Sequence, residues 1–412
     1  MTAEVAILNT HGVALAADSA VTVGSERKVY NTANKLFTLS KYHPVGIMIY
    51  NRANYMGIDW EIIIKEFRKS IKKDKYETLF EYANKFVEYV KNYPFVTEKQ
   101  QNDLLLNTCY YSISLIRNSF FYKINNDPNM KIRIDLDHAS KILDFTLGDI
   151  QTTLGQSVKK MNYSLDMKFI TKNKNDIYKR IDRAFENYIV SNKQKETIYK
   201  IIIKDLSLAY NVNNYTGIVI SGFGDKEIFP SIYGCKICGQ IGHSFVFFDE
   251  DKNSVSLEND AVIIPFAQTE MVHTFMKGMD PDLFHKIDEQ LGNFILSLSD
   301  IMGESYKSKL IKAKEDFVRY LDNIQQESYI NPIMQSVRSL QKTDLANMAE
   351  TLVNLTAFKR HVSKDTETVG GPTDVALITR GDGFVWIKRK HYFDIKLNQA
   401  FQQNYFLEDG NE

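Results

Sequence analysis

Apolar and polar residues alternate from the first positions of the chain. The run MTAEVAILNTHGVALAADSAVT predicts two short strands, 4–8 and 13–17, joined through Asn9, Thr10, His11 and Gly12 as a β-hairpin whose turn needs a glycine. Strands over 28–40 and 45–50 follow, divided by a turn at Lys41, Tyr42, His43 and Pro44. The period then changes to that of a helix, with Ile58, Ile62, Phe67 and Ile71 on one stripe and a second helix over 76–90 that ends before Pro94. Residues 97–208 keep helical patterning, are rich in Asn, Lys, Tyr and Ile, and carry no glycine-rich or catalytic signature; charged runs there, such as 172–183, read as solvated helix faces. Strand character returns over 215–224 and 231–237, then in a hairpin of 244–248 and 255–257 around a DEDKNS turn. Helical zones over 268–298 and 303–361 precede the last strands, 373–379 and 383–388, with Arg380, Gly381 and Asp382 turning between them.

Each block of strands has an apolar side to cover, and the helices carry apolar stripes, for instance Leu345, Met348, Leu352, Leu355 and Phe358. Two central sheets between layers of helices satisfy both. The expected class is α+β, a four-layer αββα sandwich with a large helical insertion: residues 1–96 and 209–395 form the sandwich, 97–208 the insertion and 396–412 a tail.

Composition narrows the partners. The 412 residues include 51 basic and 51 acidic side chains, so no net field recruits nucleic acid or an anionic membrane. No apolar run approaches the roughly 20 residues of a membrane helix, and the N-terminus lacks a basic-then-apolar leader, so a cytoplasmic protein is expected. Three cysteines are too few for a disulfide framework and fit a reducing compartment. Cys235 and Cys238 have zinc-knuckle spacing with His243 nearby, but a structural zinc wants four ligands and no second CxxC exists; two strand or turn cysteines are the plainer reading. Without a Walker motif, a GxGxxG after a strand or an HExxH, neither a metal nor another cofactor is expected.

The candidate chemistry lies at the start. A terminal threonine carries its own general base, because its α-amine has an unperturbed pKa of about 7.7–8.0 and can take the Oγ proton. Thr2 sits directly behind Met1 and is small enough for methionine aminopeptidase to expose it. Sixteen residues on comes Asp18, closing the run Ala16, Ala17, Asp18, and seventeen further comes Lys35. An ammonium a few ångströms from Thr2 would favour ionisation of its hydroxyl, and Asp18 would orient that ammonium. By themselves Asp18 could end a strand and Lys35 could be an exposed strand residue.

Together Thr2, the Ala-Ala-Asp run and Lys35 resemble the proteasome β-subunit family and its bacterial relatives of the HslV and Anbu type, within the N-terminal-nucleophile (Ntn) hydrolases. The resemblance implies Thr2 as nucleophile, Asp18 as the acid paired with Lys35, and Thr22 as a strand residue whose backbone holds extended substrate. It implies an oxyanion contact from the backbone of Tyr50, where Tyr50 and Asn51 replace a glycine-rich strand end. The segment DTETVGG over 365–371 is similar to the family's Asp-x-x-Ser-Gly-Gly, with Val369 in place of the serine, which makes Asp365 and Thr368 accessory candidates. A further family serine has no match in the segment 264–270, where Gln268 and Thr269 are the candidates for its place. The implied partners are a peptide or protein substrate, further copies in a ring or spiral, and a separate ATP-dependent unfoldase. Two readings of different class stand: a threonine-type amidohydrolase, or an inactive proteasome-like scaffold that binds partners through 97–208. A scaffold needs none of Thr2, Asp18 and Lys35, and their joint presence favours the enzyme.

Overall fold

The computed structural model describes residues 2–23, 28–127, 136–156, 164–185, 188, 190–207, 215–363, 369–391, 393–400 and 403. The chain opens with β1 (Ala3–Asn9), β2 (Gly12–Ala17), β3 (Val21–Val23), β4 (Lys28–Tyr30), β5 (Leu36–Thr38), β6 (Val45–Asn51), β7 (Asn54–Tyr55) and β8 (Ile58–Asp59). Helices follow: α1 (Trp60–Ile71), α2 (Leu79–Lys91), α3 (Glu98–Asn126), α4 (Leu136–Gln156), α5 (Met167–Lys172), α6 (Lys174–Ala184) and α7 (Asn192–Leu206). Then come β9 (Thr216–Gly222), β10 (Ser231–Ile241), β11 (Ser244–Ser254) and β12 (Ala261–Ala267). The last part holds α8 (Glu270–Lys277), α9 (Pro281–Met302), α10 (Glu304–Ile324), α11 (Asn331–Ser339), α12 (Lys342–Val362), β13 (Asp374–Thr379) and β14 (Gly383–Lys388).

The architecture is α+β, with two five-stranded antiparallel sheets in the orders β12-β1-β2-β13-β14 and β11-β10-β9-β6-β5. Strand alternation sorts the side chains of β1 into two cores. Val5 and Ile7 meet Leu345, Leu352 and Val353 of α12, whereas Ala6 and Leu8 share a cluster with Leu36, Met48 and Val219 of the second sheet. The opposite face of that second sheet, including Ile47, Ile218 and Ile220, buries Trp60, Phe67 and Phe86 of α1 and α2. Helices α3 to α7 have a core of their own around Ile113, Phe120, Ile177 and Ile202, joined by Ile241 and Val246 from the tip of β10 and β11. Among the described residues no helix is long and apolar enough to cross a membrane.

Several expected boundaries move. The strand expected over 28–40 is two short ones, β4 and β5, because Lys28, Val29 and Tyr30 pair only with β3 and stay exposed while Leu36 enters the core. The DEDKNS run is strand, not turn: β11 is an edge strand that tolerates outward polar residues, and the chain reverses at Gly242 and His243 instead. The stripe of α12 turns toward Ala346, Ala349 and Thr356, small side chains that let the helix lie close to the sheet, and Phe358 is left exposed. In α1 the buried side runs through Ile63 and Ile64, so Ile62 points out.

Candidate active site

The hairpin that opens the chain assembles the site. Register Glu4↔Ala17 sets Asp18 opposite Ala3, and the two residues exchange bonds: the Asp18 N–H donates to the Ala3 carbonyl at 3.1 Å, and the Ala3 N–H donates to Asp18 Oδ1 at 3.0 Å. The sixteen-residue interval from Thr2 to Asp18 is therefore one strand, one turn and one return strand. Lys35 reaches the same point from the other sheet, just before β5, where its carbonyl accepts the Ile49 N–H at 2.9 Å. Its ammonium donates to Asp18 Oδ1 at 2.6 Å and to Thr2 Oγ1 at 3.1 Å. Thr2, Asp18 and Lys35 are all buried, 4%, 1% and 4% exposed, so the ion pair is shielded from solvent and salt.

Asp18 is the hub. Its Oδ2 accepts the N–H groups of Ala20 at 3.2 Å and Gly370 at 3.0 Å, so with Ala3 and Lys35 every acceptor direction of the carboxylate is used. The Gly370 contact, with Ser19 N–H donating to the Gly370 carbonyl at 3.2 Å, ties the loop before β13 to the site. Gly371 has φ +75°, and a Cβ there would fall 2.8 Å from the Cβ of Asn31, so both conformation and space demand glycine. Gln268 also belongs to the surroundings, through its backbone N–H, which donates to the Thr2 carbonyl at 3.2 Å, while Arg360 donates to its side-chain oxygen.

Tyr50 departs from the expected role. Ile49 donates toward Lys35, so alternation along β6 turns the Tyr50 N–H to the opposite side, into the ladder with Gly217 of β9. Its ring fills the space between the sheets against Phe266, 5.8 Å between centroids, and lies so close to position 217 that a Cβ there would meet it at 2.0 Å. The phenol donates to Glu250 Oε2 at 3.2 Å, and burial, reinforced by Glu250, pushes its ionisation up. The same alternation turns the N–H of Asn51 to the Lys35 side, beyond the end of β5. Asn51 has φ +73°, and its side chain donates to the Tyr215 carbonyl at 2.8 Å.

Thr22 lies in β3 opposite Val29. Asp365 and Thr368 lie outside the described residues. Cys235 is buried in the core beneath α2 and Cys238 is half-buried; among the described residues no group of three or more His, Cys, Asp or Glu side chains is arranged to hold a metal.

One residue of the site was not foreseen. Glu4 follows Thr2 by two positions on the same side of β1, the side that Ala6 and Leu8 turn toward the second sheet. It is 1% exposed, and neither carboxyl oxygen has a hydrogen-bond partner. Burial raises its pKa well above the usual carboxylate range; the Lys35 ammonium opposes the rise and the Asp18 carboxylate adds to it. The signal was available in an acidic residue set inside an otherwise apolar strand.

No protein-family model matches the chain, and no curated protein sequence matches it. Among solved structures, Anbu (ancestral beta-subunit) from Yersinia bercovieri aligns over 100% of this chain and 99% of its own, at 8% identity and a TM-score of 0.30. Anbu from Pseudomonas aeruginosa, solved as a helical assembly, aligns over 100% and 97% at 9% identity and a TM-score of 0.30. Anbu from Hyphomicrobium sp. strain MC1 aligns over 100% and 98% at 7% identity and a TM-score of 0.29. The functional reading rests on the geometry around Thr2.

Proposed function

We propose that this protein is an N-terminal-threonine amidohydrolase, a threonine-type peptidase or related Ntn hydrolase that cleaves peptide or other amide bonds once Met1 is removed. The observation that carries the reading is the buried Lys35 ammonium, 3.1 Å from Thr2 Oγ1 and 2.6 Å from Asp18 Oδ1. An ammonium has only donors, so Thr2 Oγ1 accepts from it and directs its own O–H elsewhere. That proton passes to the freed α-amine as Oγ1 attacks the amide carbonyl. The C–N bond breaks, the terminal ammonium returns the proton to the departing amine, and water hydrolyses the threonyl ester by the same route. Strand alternation favours Asn51 over Tyr50 as the oxyanion donor, a contact worth about 2.7–4 kcal/mol in comparable sites. Thr22 offers its backbone to extended substrate, and Asp365 and Thr368 are accessory.

We read the two sheets and their helices as a four-layer αββα sandwich over 1–96 and 209–395, with 97–208 inserted and 396–412 a tail. The partner is a second copy of the chain. Support comes from the α9 and α10 pair, which leaves Phe294, Leu296, Phe317 and Tyr320 about half exposed and Ile301 82% exposed. A clean monomer by size exclusion with light scattering would refute it. The inactive-scaffold reading draws on Tyr50, whose ring occupies the space between the sheets.

Intact mass, measured with and without a threonine-directed β-lactone, separates the two. The enzyme reading expects loss of Met1 and one adduct, absent in Thr2→Ala. A retained Met1 or an inert Thr2 refutes it and leaves the scaffold.

A further inference from the structure

Helices α3 and α6 enclose a cavity of about 540 Å³ with an unusual wall. Residues 98–206 contain four arginines, at 117, 133, 180 and 183, and three of them line this one cavity, while no acidic residue does. Arg117 is held in place: its Nε donates to the Ala184 carbonyl at 2.9 Å and its guanidinium lies 4.7 Å from the centroid of Phe121. Arg180 and Arg183, one turn apart on α6, have no hydrogen-bond or ion-pair partner among the described residues.

The neighbouring cations behave differently. Lys123, Lys172, Lys174 and Lys195 are matched to Asp149, Glu98, Glu196 and Asp182. Asp182 stands between the two free arginines in sequence, yet it pairs with Lys195 at 2.6 Å. Ion pairs thus engage several lysines of these helices but neither Arg180 nor Arg183.

Guanidinium is the side chain whose planar fork matches phosphate oxygens two at a time and whose face stacks on aromatic rings. Tyr110 and Phe121 supply apolar surface beside it, and Asn118 supplies a neutral polar group. Three positive charges exceed what a single carboxylate neutralises and suit a phosphate, which carries about two negative charges at neutral pH. The volume fits a small organic ligand rather than a lone ion. We propose that this cavity, remote in sequence from Thr2, is a binding site for a small organic phosphate, its phosphate gripped by Arg117, Arg180 and Arg183 and its apolar part laid on Tyr110 and Phe121.

The test is calorimetric titration of the full-length protein with phenyl phosphate and with inorganic phosphate. It compares wild type, R180Q/R183Q, and R319Q/R389Q, which removes equal charge elsewhere. The expected result is saturable binding of phenyl phosphate to wild type, tighter than inorganic phosphate, unchanged in R319Q/R389Q and at least about tenfold weaker in R180Q/R183Q. Circular dichroism melts check that R180Q/R183Q stays folded, as the lack of partners for either guanidinium leads one to expect. Absent saturation in wild type, equal affinity in R180Q/R183Q, or equal affinity for the two probes overturns the proposal. No readout depends on Thr2, so the outcome is independent of the amidohydrolase reading.

Discussion

Replacing Glu4 with glutamine changes stability in a way that depends on pH, and the sign follows from where the carboxyl lies. In the unfolded chain a glutamate titrates near pH 4.3, about its model-peptide value. In the fold, Glu4 is 1% exposed with both oxygens unpartnered, and burial holds its pKa well above that value despite Lys35. The stability attached to its proton is therefore fully present below about pH 4.3 and is lost as pH rises toward the folded value, because folding must take up a proton that the unfolded chain has released. The limiting slope is about 1.4 kcal/mol per pH unit. Glutamine has nearly the same shape and does not titrate, and the cost of burying its unpartnered amide is a constant offset of about 1–3 kcal/mol that leaves the slope untouched. E4Q should thus gain on wild type by up to about 1.4 kcal/mol for each unit above roughly pH 5, until Glu4 ionises within the fold. Urea unfolding at a series of pH values, followed through Trp60, which is fully buried under the second sheet, reads the difference directly. Parallel curves would mean that Glu4 titrates normally. A loss of E4Q stability relative to wild type as pH rises would mean that Lys35 outweighs burial and holds Glu4 as a carboxylate, which refutes the reasoning.

The Lys35–Asp18 pair should behave as a unit. D18N or K35M alone leaves a buried charge without its partner and is expected to cost about 3–5 kcal/mol, whereas D18N/K35M should cost clearly less than the sum, and additive losses in urea unfolding would show that the two do not interact. K35M should also slow β-lactone modification of Thr2 by at least about tenfold through loss of the ammonium on Oγ1, measured by the rate of adduct formation; an unchanged rate would remove Lys35 from the chemistry. G371A places a Cβ on a backbone at φ +75° and 2.8 Å from Asn31, so a loss of about 1–3 kcal/mol is expected, and a neutral result would show that the loop relaxes away from Asp18.

Local rules made the ends of the chain legible and failed in identifiable places. The first hairpin was readable because alternation and the Gly12 turn agree, and that hairpin alone brings Asp18 beside Thr2. The reach of Lys35 across the space between the sheets was not readable from spacing, since it depends on how two sheets face each other; the resemblance, not the periodicity, named it. The β11 strand was misread because an edge strand tolerates a polar run that in isolation has turn composition. The stripe of α12 was read correctly at Leu345 and Leu352 and wrongly at Phe358, because apolar size was taken as the mark of burial, whereas close approach to a sheet also selects Ala346 and Ala349.

Tyr50 and Glu4 fail to be legible for one shared reason. Both lie in strands buried on both faces, where alternation no longer separates inside from outside. In such a strand a polar residue cannot be assigned to solvent, and each polar side chain must find a partner or change its ionisation. Tyr50 takes the first course through Glu250, at the expense of requiring Gly217 beneath its ring. Glu4 takes the second, and it does so on the side of β1 that carries Thr2. Asp18 is the one carboxylate bonded to Lys35, whose ammonium has Thr2 Oγ1 as its other contact. Burial of Glu4 therefore opposes a second negative charge beside the proposed nucleophile.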